Sequence, residues 1–366
     1  SIKFNNAIDY ILVKPLLKVK IILVLHGVTK ISFLNTLKNK NNPEFQVQRY
    51  TASHKAEWND FITSAKNATF LFNRNFMDYH SDRFEDFSLL IFKKNKLVAV
   101  LPANKKENEV FSHQGLTYGG LVLSRKIKFT DVTLLFSKML EFLNENKVEK
   151  LHIKLLPAIY HSIPSEEIHY LLQLVNAKRS KVMLASVVNC QNPLKIQSNR
   201  IEGVKKAQKN QLIIKEEQSF KPFWNEILKP NLKSRFDSEP VHSLDEIRSL
   251  ANNFPKNIHQ FTVYKENEIV AGATIFETET LVHTQYISAN NDKQKLGSLD
   301  FLLHYLLTDR FKHKKYFDFG TSNEEAGAKI NEGLQYWKEC FGGRSVVYEQ
   351  YVLETKNYTL LNSVFI

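Results

Sequence analysis

Polar side chains on one predicted strand carry the clearest chemistry in this sequence. Period-two alternation along residues 282–287 places His283 and Gln285 on one face and Thr284 and Tyr286 on the other. Because an imidazole titrates near neutral pH, His283 is a candidate general base, with Tyr286 as a further candidate catalytic group. Gln285 is a candidate for orienting a substrate. A hydrogen-bonded histidine with a structural role in the sheet is the alternative.

A carboxylate and a polar loop follow farther along the chain. Asp318 stands near the carboxyl end of the predicted strand 316–319, where open α/β sheets form ligand crevices. Asp318 is a candidate catalytic residue. Asp318 or Glu324 can hold an amine through opposite charge, and capping of a helix or loop is the alternative for both. Asn323 and Asn331 complete the loop, and we expect them to bind substrate.

Lysines supply the candidate contacts to an anion. On the predicted basic helix 200–210, Lys205 and Lys209 are four residues apart and share one face, with Lys206 beside them. Such a face can bind phosphate groups, and a plain solvated helix surface is the alternative. Lys338 on the last predicted helix is a candidate for substrate binding, with a surface role as its alternative.

The short motifs of several common chemistries are missing from the sequence. HExxH, GxSxG, GxGxxG and the P-loop pattern do not occur. His152, His161 and His169 lack metal-ligand spacing, so we expect no metal site.

The net charge is concentrated in two segments. The 366 residues include 50 Lys and Arg against 38 Asp and Glu, a formal charge of +12. Residues 1–43 and 195–215 hold nearly all of this excess, so a local anionic contact is favoured over a general nucleic-acid coat. We predict that residues 1–43 form a basic N-terminal extension that either packs on the body or lies on an anionic membrane surface.

Cysteine usage and hydropathy predict a cytoplasmic protein. Cys190 and Cys340 are the two thiols and lie far apart, so a disulfide framework is excluded and a reducing compartment is expected. The apolar run 21–25 is far shorter than the roughly 20 residues that a membrane helix needs. We therefore expect no transmembrane segment, and contact with the inner face of a membrane only through residues 1–43.

The chain after residue 43 alternates strands and helices, which predicts an α/β or α+β body. The segments 89–99 and 261–271 align without gaps and share a Lys, an Asn, a Val and an Ala at equal positions. The same order of helix, hairpin, strand, helix and strand surrounds both. These patterns favour a tandem duplication, with modules at 44–190 and 191–366 that meet at a cleft.

Four blocks occur in the order seen in FemAB-like proteins of the GNAT acyltransferase superfamily. They are His113-Gln-Gly-Leu-Thr-Tyr-Gly-Gly120, the basic helix 200–210, Tyr316-Phe-Asp-Phe-Gly320 and Gly333-Leu-Gln-Tyr-Trp-Lys-Glu-Cys-Phe-Gly-Gly343. The chain resembles this family over about residues 45–353. The resemblance implies two GNAT-like modules in tandem, with mixed sheets flanked by helices.

The resemblance also implies an activity: transfer of an acyl or aminoacyl group to an amine, commonly in cell-envelope or surface-polysaccharide synthesis. The acceptor is then an amine on a small molecule or an envelope precursor, and the donor an acyl-CoA or an aminoacyl-tRNA. We expect the second module to hold the reaction centre, with Tyr118, Gly119 and Gly120 of the first contributing to the cleft. The residues assigned to the anionic donor are Arg200, Lys205, Lys206, Lys209, Gln294 and Gly297.

Two departures from the family pattern leave alternatives open. The GNAT phosphate loop reads Q/R-x-x-G-x-G/A, whereas this chain keeps Gln294 and Gly297 but ends in Leu299. The long helical hairpin common in FemAB ligases that use aminoacyl-tRNA has no counterpart here. The alternatives are therefore an aminoacyl-tRNA-dependent ligase of FemAB type and a non-catalytic GNAT-like binding protein.

Overall fold

Helices flank mixed β-sheets in the computed structural model, which describes residues 45–366. The predicted α/β class is thereby confirmed. The predicted N-terminal extension 1–43 and its membrane contact lie outside the described residues. Along the described part of the chain, no helix is both long enough and apolar enough to cross a bilayer.

The first half of the described chain runs through strand, helices, hairpin, strand, helix, strand, helix and strand. Its strands are β1 (Phe45–Arg49), β2 (Glu85–Asp86), β3 (Leu89–Lys93), β4 (Lys96–Leu101), β5 (Asn104–Lys106), β6 (Glu109–Phe111), β7 (Val122–Leu123), β8 (Lys150–Lys154) and β9 (Lys178–Asn189). Its helices are α1 (Lys55–Ser64), α2 (Arg74–Met77), α3 (Phe129–Glu145) and α4 (Glu167–Leu174). Short 3-10 turns lie at Ala52–His54, Phe70–Phe72, Asp78–His80 and Ala158–Tyr160.

The second half repeats that order. Its strands are β10 (Ile213–Glu217), β11 (Ile258–Lys265), β12 (Glu268–Glu277), β13 (Leu281–Ala289), β14 (Tyr316–Thr321), β15 (Asn323–Glu324), β16 (Lys329–Ile330) and β17 (Arg344–Glu354). Its helices are α5 (Ser198–Lys209), α6 (Lys229–Phe236), α7 (Leu244–Asn253), α8 (Lys293–Leu296), α9 (Ser298–Tyr305) and α10 (Glu332–Cys340). Wider π-helical turns at Phe223–Leu228 and Leu306–Arg310 adjoin α6 and α9, and 3-10 turns lie at Glu325–Gly327 and Thr355–Ser363.

The two halves exchange their last strands. The large sheet has eleven strands in the order β10-β11-β12-β13-β14-β9-β17-β8-β6-β5-β2, and β1-β3-β4-β7 form a second sheet. The last strand of the first half, β9, pairs with β14, while the last strand of the second half, β17, pairs with β8. This reciprocal pairing supports a duplicated architecture, and the module boundaries at 44–190 and 191–366 stay a prediction.

An aromatic cluster joins the two halves near the middle of the molecule. Phe70 and Phe76 of the first half meet the ring of Phe276 on β12 at centroid distances of 5.5 and 6.1 Å. Phe254, which follows α7, packs on the same rings. Such buried aromatic contacts fix the position of the first-half turns against the central strands of the second half.

Candidate functional site

Two parallel strands bring His283 and Asp318 together. The register of β13 and β14 sets these residues directly opposite each other, and Nδ1 of His283 lies 3.0 Å from Oδ2 of Asp318. The carboxylate is fully buried, whereas 14% of the His283 side chain is exposed. The structure therefore unites two residues that the sequence places on separate predicted strands.

Two buried tyrosines complete the surroundings of the carboxylate. The hydroxyl of Tyr160, in the turn Ala158–Tyr160, donates to Oδ2 of Asp318 at 2.7 Å, and Tyr348 on β17 donates to the same oxygen at 2.5 Å. Burial and the adjacent carboxylate raise the pKa of both hydroxyls well above the ordinary phenol value, so both keep their protons and act as donors. Neither tyrosine is predicted from the sequence, because neither the turn nor the alternation of β17 distinguishes them from core residues.

The hydrogen bonds keep Asp318 ionised despite its burial. Burial acts to raise the pKa of this carboxyl, but the His283 imidazole and the bonds from His283, Tyr348 and Tyr160 outweigh it and hold the pKa below 3.8. The backbone N–H of Gly320 donates to the second oxygen, Oδ1, at 2.7 Å. The result is an anion that accepts four hydrogen bonds without contact with solvent.

The Nε2 edge of the His283 ring is free to exchange a proton with a substrate. With Nδ1 donating to Asp318, the neutral ring carries its lone pair on Nε2, which has no hydrogen-bond partner among residues 45–366. Gly320, at φ +72°, passes close to the ring, and a Cβ there would lie 3.2 Å from Cε1 of His283. The arrangement can accept a proton at Nε2 while the carboxylate stabilises the resulting imidazolium.

Lys338 is buried beside this site. Its ammonium donates to the carbonyls of Gly320 and Thr321 at 2.9 and 2.8 Å, and 4% of the residue is exposed. Burial lowers the pKa of Lys338 to about 8, although the Asp318 carboxylate acts in the opposite direction. Lys338 therefore anchors the end of β14, on which Asp318 lies, to α10.

Replacing Lys338 with Met is expected to remove a pH dependence of stability. Between pH 8 and 10.5 the unfolded lysine holds a proton that the folded one has lost, so this residue adds stability as the pH rises. From pH 8 to pH 10 the wild type should gain roughly 2 kcal/mol relative to Lys338→Met. Urea unfolding at each pH measures the difference. The exposed Lys329→Met is the matched control, and equal pH dependence in all three proteins contradicts the prediction.

A β-bulge changes the predicted face of Tyr286. The ladder between β12 and β13 shifts register so that Thr274 opposes Tyr286 while Ile275 opposes Thr284, which leaves Gln285 as an extra residue. Tyr286 therefore packs in the same core cluster as Leu281, on the side of the sheet that carries His283. The prediction that Tyr286 and His283 lie on opposite faces is wrong, because strict alternation fails at an inserted residue.

The remaining predicted substrate-binding residues make contacts within the protein. Asn331 caps α10 by accepting from the N–H of Leu334 at 2.9 Å, and its amide donates to Glu324 at 2.7 Å. Asn323 accepts from the backbone N–H of Leu184 at 2.6 Å. The structure thus shows these three in capping and loop contacts, which is the alternative given above for Glu324, and a role in substrate binding stays a prediction for all three.

The predicted Tyr118-Gly119-Gly120 segment lies at the junction of the two halves. Tyr118 is buried, packs with its ring centroid 4.8 Å from that of Tyr160 at a tilted angle, and donates to Thr69 at 3.1 Å. Gly119 and Gly120 line a cavity of about 180 Å³. Tyr118 therefore supports the tyrosine that binds Asp318 and does not itself reach the His283 ring.

The predicted phosphate loop is closed by the predicted basic helix. A Cβ on Gly297 would lie 2.0 Å from the carbonyl oxygen of Gly203 on α5, so α5 sits directly on the loop. The Asp300 carboxylate in the first turn of α9 accepts from Arg200 at 2.9 Å and from Trp337 at 2.9 Å. The contact with α5 leaves no room for a pyrophosphate directly over Gly297, so the predicted loop does not fit CoA in this structure.

The other predicted donor contacts point to solvent. Lys205, Lys206 and Lys209 are exposed on α5, and Gln294 is exposed on α8. Arg200 does not belong with them, because its guanidinium is held by Asp300. Three lysines on one helix face therefore remain available to an anion.

Substituting Gly297 with Ala is expected to destabilise the protein by about 2–4 kcal/mol. The residue has φ +68°, and the added methyl group would overlap the backbone of Gly203. Gly333→Ala is the control, since its Cβ would meet no atom closer than 3.8 Å. Thermal unfolding of both variants provides the measurement, and a loss in Gly297→Ala no greater than in the control would refute the close packing of α5.

Comparisons with known proteins identify the fold. No protein-family model matches the chain, and no curated protein matches it in sequence. The crystal structure of FemX matches with a TM-score of 0.61 at 10% identity, covering 87% of this chain and 99% of that one. The C-terminal domain of a protein described as a lysylphosphatidylglycerol synthetase from Agrobacterium fabrum matches with a TM-score of 0.55 at 13% identity, covering 85% and 96%.

A further solved structure, L-PGS from Bacillus licheniformis, matches with a TM-score of 0.50 at 14% identity over 72% of this chain and 85% of that one. Together with the repeated element order, these similarities confirm the predicted fold class of two GNAT-like modules. At such identities they establish the fold alone. Within residues 45–366, no group of three or more His, Cys, Asp or Glu side chains is arranged to bind a metal ion.

Proposed function

We propose that this chain transfers an acyl or aminoacyl group to an amine, with His283 as the catalytic base. The observation that carries the proposal is the pairing of Nδ1 with the buried Asp318 carboxylate while Nε2 stays open. The fold shared with FemX and with a lysylphosphatidylglycerol synthetase supports it, because the latter name describes a lysyl group joined to a lipid.

The proposed reaction forms one bond and breaks one. The amine nitrogen attacks the acyl carbonyl, its proton passes to Nε2 of His283, and the bond between the acyl carbon and its carrier breaks. The carrier leaves with the proton that His283 returns. Asp318 stabilises the transient imidazolium through Nδ1 and is therefore a positioning residue. Tyr286, bonded to His242 at 2.7 Å, has no direct part in this scheme.

We propose an aminoacyl-tRNA rather than an acyl-CoA as the donor. The contact between Gly203 and Gly297 disfavours a CoA pyrophosphate at the predicted loop. Lys205, Lys206 and Lys209 offer an exposed basic face to a nucleic-acid backbone. A non-catalytic binding protein is the competing outcome.

The acceptor and the location rest on the family resemblance, and we propose them together with it. The acceptor is an amine on a small molecule or on a cell-envelope precursor. The reaction takes place in the cytoplasm or at the inner face of the membrane, where residues 1–43 can contact anionic lipid.

A donor panel tests the proposed function. The protein is incubated with aminoacyl-tRNAs and acyl-CoAs in the presence of amino acids and amino sugars, and mass spectrometry detects the new amide. Transfer from aminoacyl-tRNA supports the proposal. Transfer from acyl-CoA alone would show that acyl-CoA, and not aminoacyl-tRNA, is the donor. Binding without transfer from any donor favours the non-catalytic alternative.

The triple variant Lys205→Ala, Lys206→Ala, Lys209→Ala is expected to weaken tRNA binding about tenfold or more at low salt and to flatten its salt dependence. Each lost phosphate contact lowers the slope of log K against log salt by about 0.7–0.9. Filter binding at several salt concentrations measures both quantities. The triple variant of the exposed Lys106, Lys126 and Lys128 is the control. Equal slopes for the two variants would remove α5 from the donor site.

A further inference from the structure

A second cavity is lined by strand residues that neighbour His283 in the sheet. It measures about 330 Å³ and is lined from both halves of the chain, with Phe276 and Gln285 on its second-half wall. Phe276 is the residue opposite His283 in the β12–β13 ladder, and Gln285 is the bulged residue two positions after His283. The cavity therefore begins one ladder position from the proposed base, on the face of the sheet that carries it.

The walls of this cavity are mainly apolar and aromatic. They include Phe76, Tyr79, Phe84, Leu116 and Phe276. A cavity of this size and character suits the apolar part of a small molecule. An ionised group placed against such walls would lose its hydration without a fixed counter-charge, so charged ligands are disfavoured.

Arg83 is the charged residue on the lining, and its charge is already compensated. Its guanidinium lies 2.6 Å from the carboxylate of Glu246, which in turn caps α7 by accepting from the N–H of Ser243 at 2.7 Å. An anionic ligand would have to compete with Glu246 for this guanidinium. The lining therefore offers no free positive charge for a carboxylate or a phosphate.

The histidines on the lining are uncharged donors and acceptors. Burial lowers the pKa of His242 to about 4 and also lowers that of His80. The hydroxyl of Tyr286 accepts from the backbone N–H of His242 and lies 2.7 Å from Nδ1. When the hydroxyl proton is directed at Nδ1, the ring proton is on Nε2. Both ring nitrogens of His80, a residue 2% exposed, lack a hydrogen-bond partner among residues 45–366.

We infer that this cavity receives an uncharged aromatic or branched aliphatic group of the acyl donor, held by apolar contact and by a neutral hydrogen bond from Nε2 of His242. The inference rests on the proposed function, because the transferred acyl carbon must lie beside His283. An uncharged amide or hydroxyl on the group can accept this hydrogen bond without bringing a charge into the cavity.

Binding of three ring compounds of equal size tests the inference without turnover. Benzamide is neutral, benzoate is an anion and benzylamine is a cation at pH 7. Ligand-observed NMR titration is expected to show benzamide binding at least tenfold more tightly than either charged compound. Equal binding of the three, tighter binding of a charged one, or no binding of benzamide overturns the inference.

Variants at the cavity mouth locate the binding. Val241, 68% exposed, and the exposed Thr117 line opposite walls, so Val241→Trp and Thr117→Trp fill the cavity from the surface with little cost to folding. Each should weaken benzamide binding at least fivefold. Val347→Trp is the matched control, because Val347 is 47% exposed and lines the separate cavity of about 180 Å³.

Two patterns of results separate this inference from the proposed function. Benzamide binding that is lost in Val241→Trp, with no transfer from any donor, supports the cavity assignment and refutes the transferase. Transfer that occurs together with no preference for benzamide, or with binding unaffected by both tryptophan substitutions, refutes the cavity assignment and leaves the transferase intact.

Discussion

The His283→Ala variant is expected to transfer acyl groups about 100-fold more slowly than the wild type, or slower still, with its fold unchanged. A positioned general base contributes on the order of 10²–10⁴ to rate, and Nε2 of His283 is the proton acceptor that the site offers. The ring is partly exposed at the end of a strand ladder, so its loss leaves a small solvent-accessible space rather than a closed cavity. Single-turnover transfer from the active donor measures the effect, and circular dichroism confirms the fold.

His152→Ala is the matched control for this experiment. His152 lies on β8, is paired with the carboxylate of Glu109 at 2.8 Å and is 29% exposed, so it repeats the His–carboxylate geometry away from the site. It should retain full activity. Imidazole added to His283→Ala should restore part of the rate, because it can enter the vacated space. Wild-type activity in His283→Ala would remove the base from the mechanism.

Local patterns predicted the two strands of the site but not their pairing. Alternation in 282–287 and the apolar run 316–319 identified β13 and β14, and the residue types of His283 and Asp318 drew attention to both. The parallel register that brings them to 3.0 Å depends on a connection through α9, which no short-range pattern encodes. The bulge at Gln285 escaped prediction for the same reason, since an inserted residue is defined by its partner strand.

The longest strand of the first half also escaped prediction. In β9, the segment Lys178–Asn189 starts with charged and polar residues on both faces, which is unlike the apolar run expected of a central strand. It nevertheless lies between β14 and β17, because the halves exchange their last strands. Because β9 completes the sheet of the second half, the sequence pattern of the first half alone does not identify it as a central strand.

The exchanged strands also explain why one half suits chemistry better than the other. Leu184 of β9 pairs with Val347 of β17. Three residues after Leu184, β9 pairs with Asp318 of the second half. Three residues after Val347, β17 pairs with Lys154 of the first half. Lys154 is half-buried, which lowers its pKa to about 8, and it donates to the carbonyl of Leu116 at 2.9 Å among other carbonyls. The duplicated position thus holds a carboxylate bound to an imidazole in one half and a lysine engaged by backbone in the other, which supports a single reaction centre.

Asp318→Asn is expected to lose both activity and stability. Oδ2 accepts from His283, Tyr160 and Tyr348, while Oδ1 accepts from the backbone of Gly320. An asparagine amide must direct its NH₂ either at the three donors around Oδ2 or at the Gly320 N–H. In either orientation the NH₂ group faces hydrogen-bond donors at a position that is fully buried from solvent. We expect this to lower the free energy of unfolding by about 3 kcal/mol. Transfer should fall about 100-fold, because the imidazole loses its anionic partner.

The stability loss in Asp318→Asn should depend on pH with a defined sign. The folded pKa of Asp318 lies below its ordinary value of 3.8, so the carboxylate contributes stability above that value and loses it as the pH falls through the folded pKa. The difference in unfolding free energy between wild type and variant should therefore shrink as the pH falls below about 4. Asp131→Asn, which breaks a partly exposed pair with Lys93, should cost about 1 kcal/mol or less. A cost in Asp318→Asn no larger than that, with transfer intact, would show that the tyrosines and His283 do not depend on a buried anion, and the chemistry proposed for this pair would fail with it.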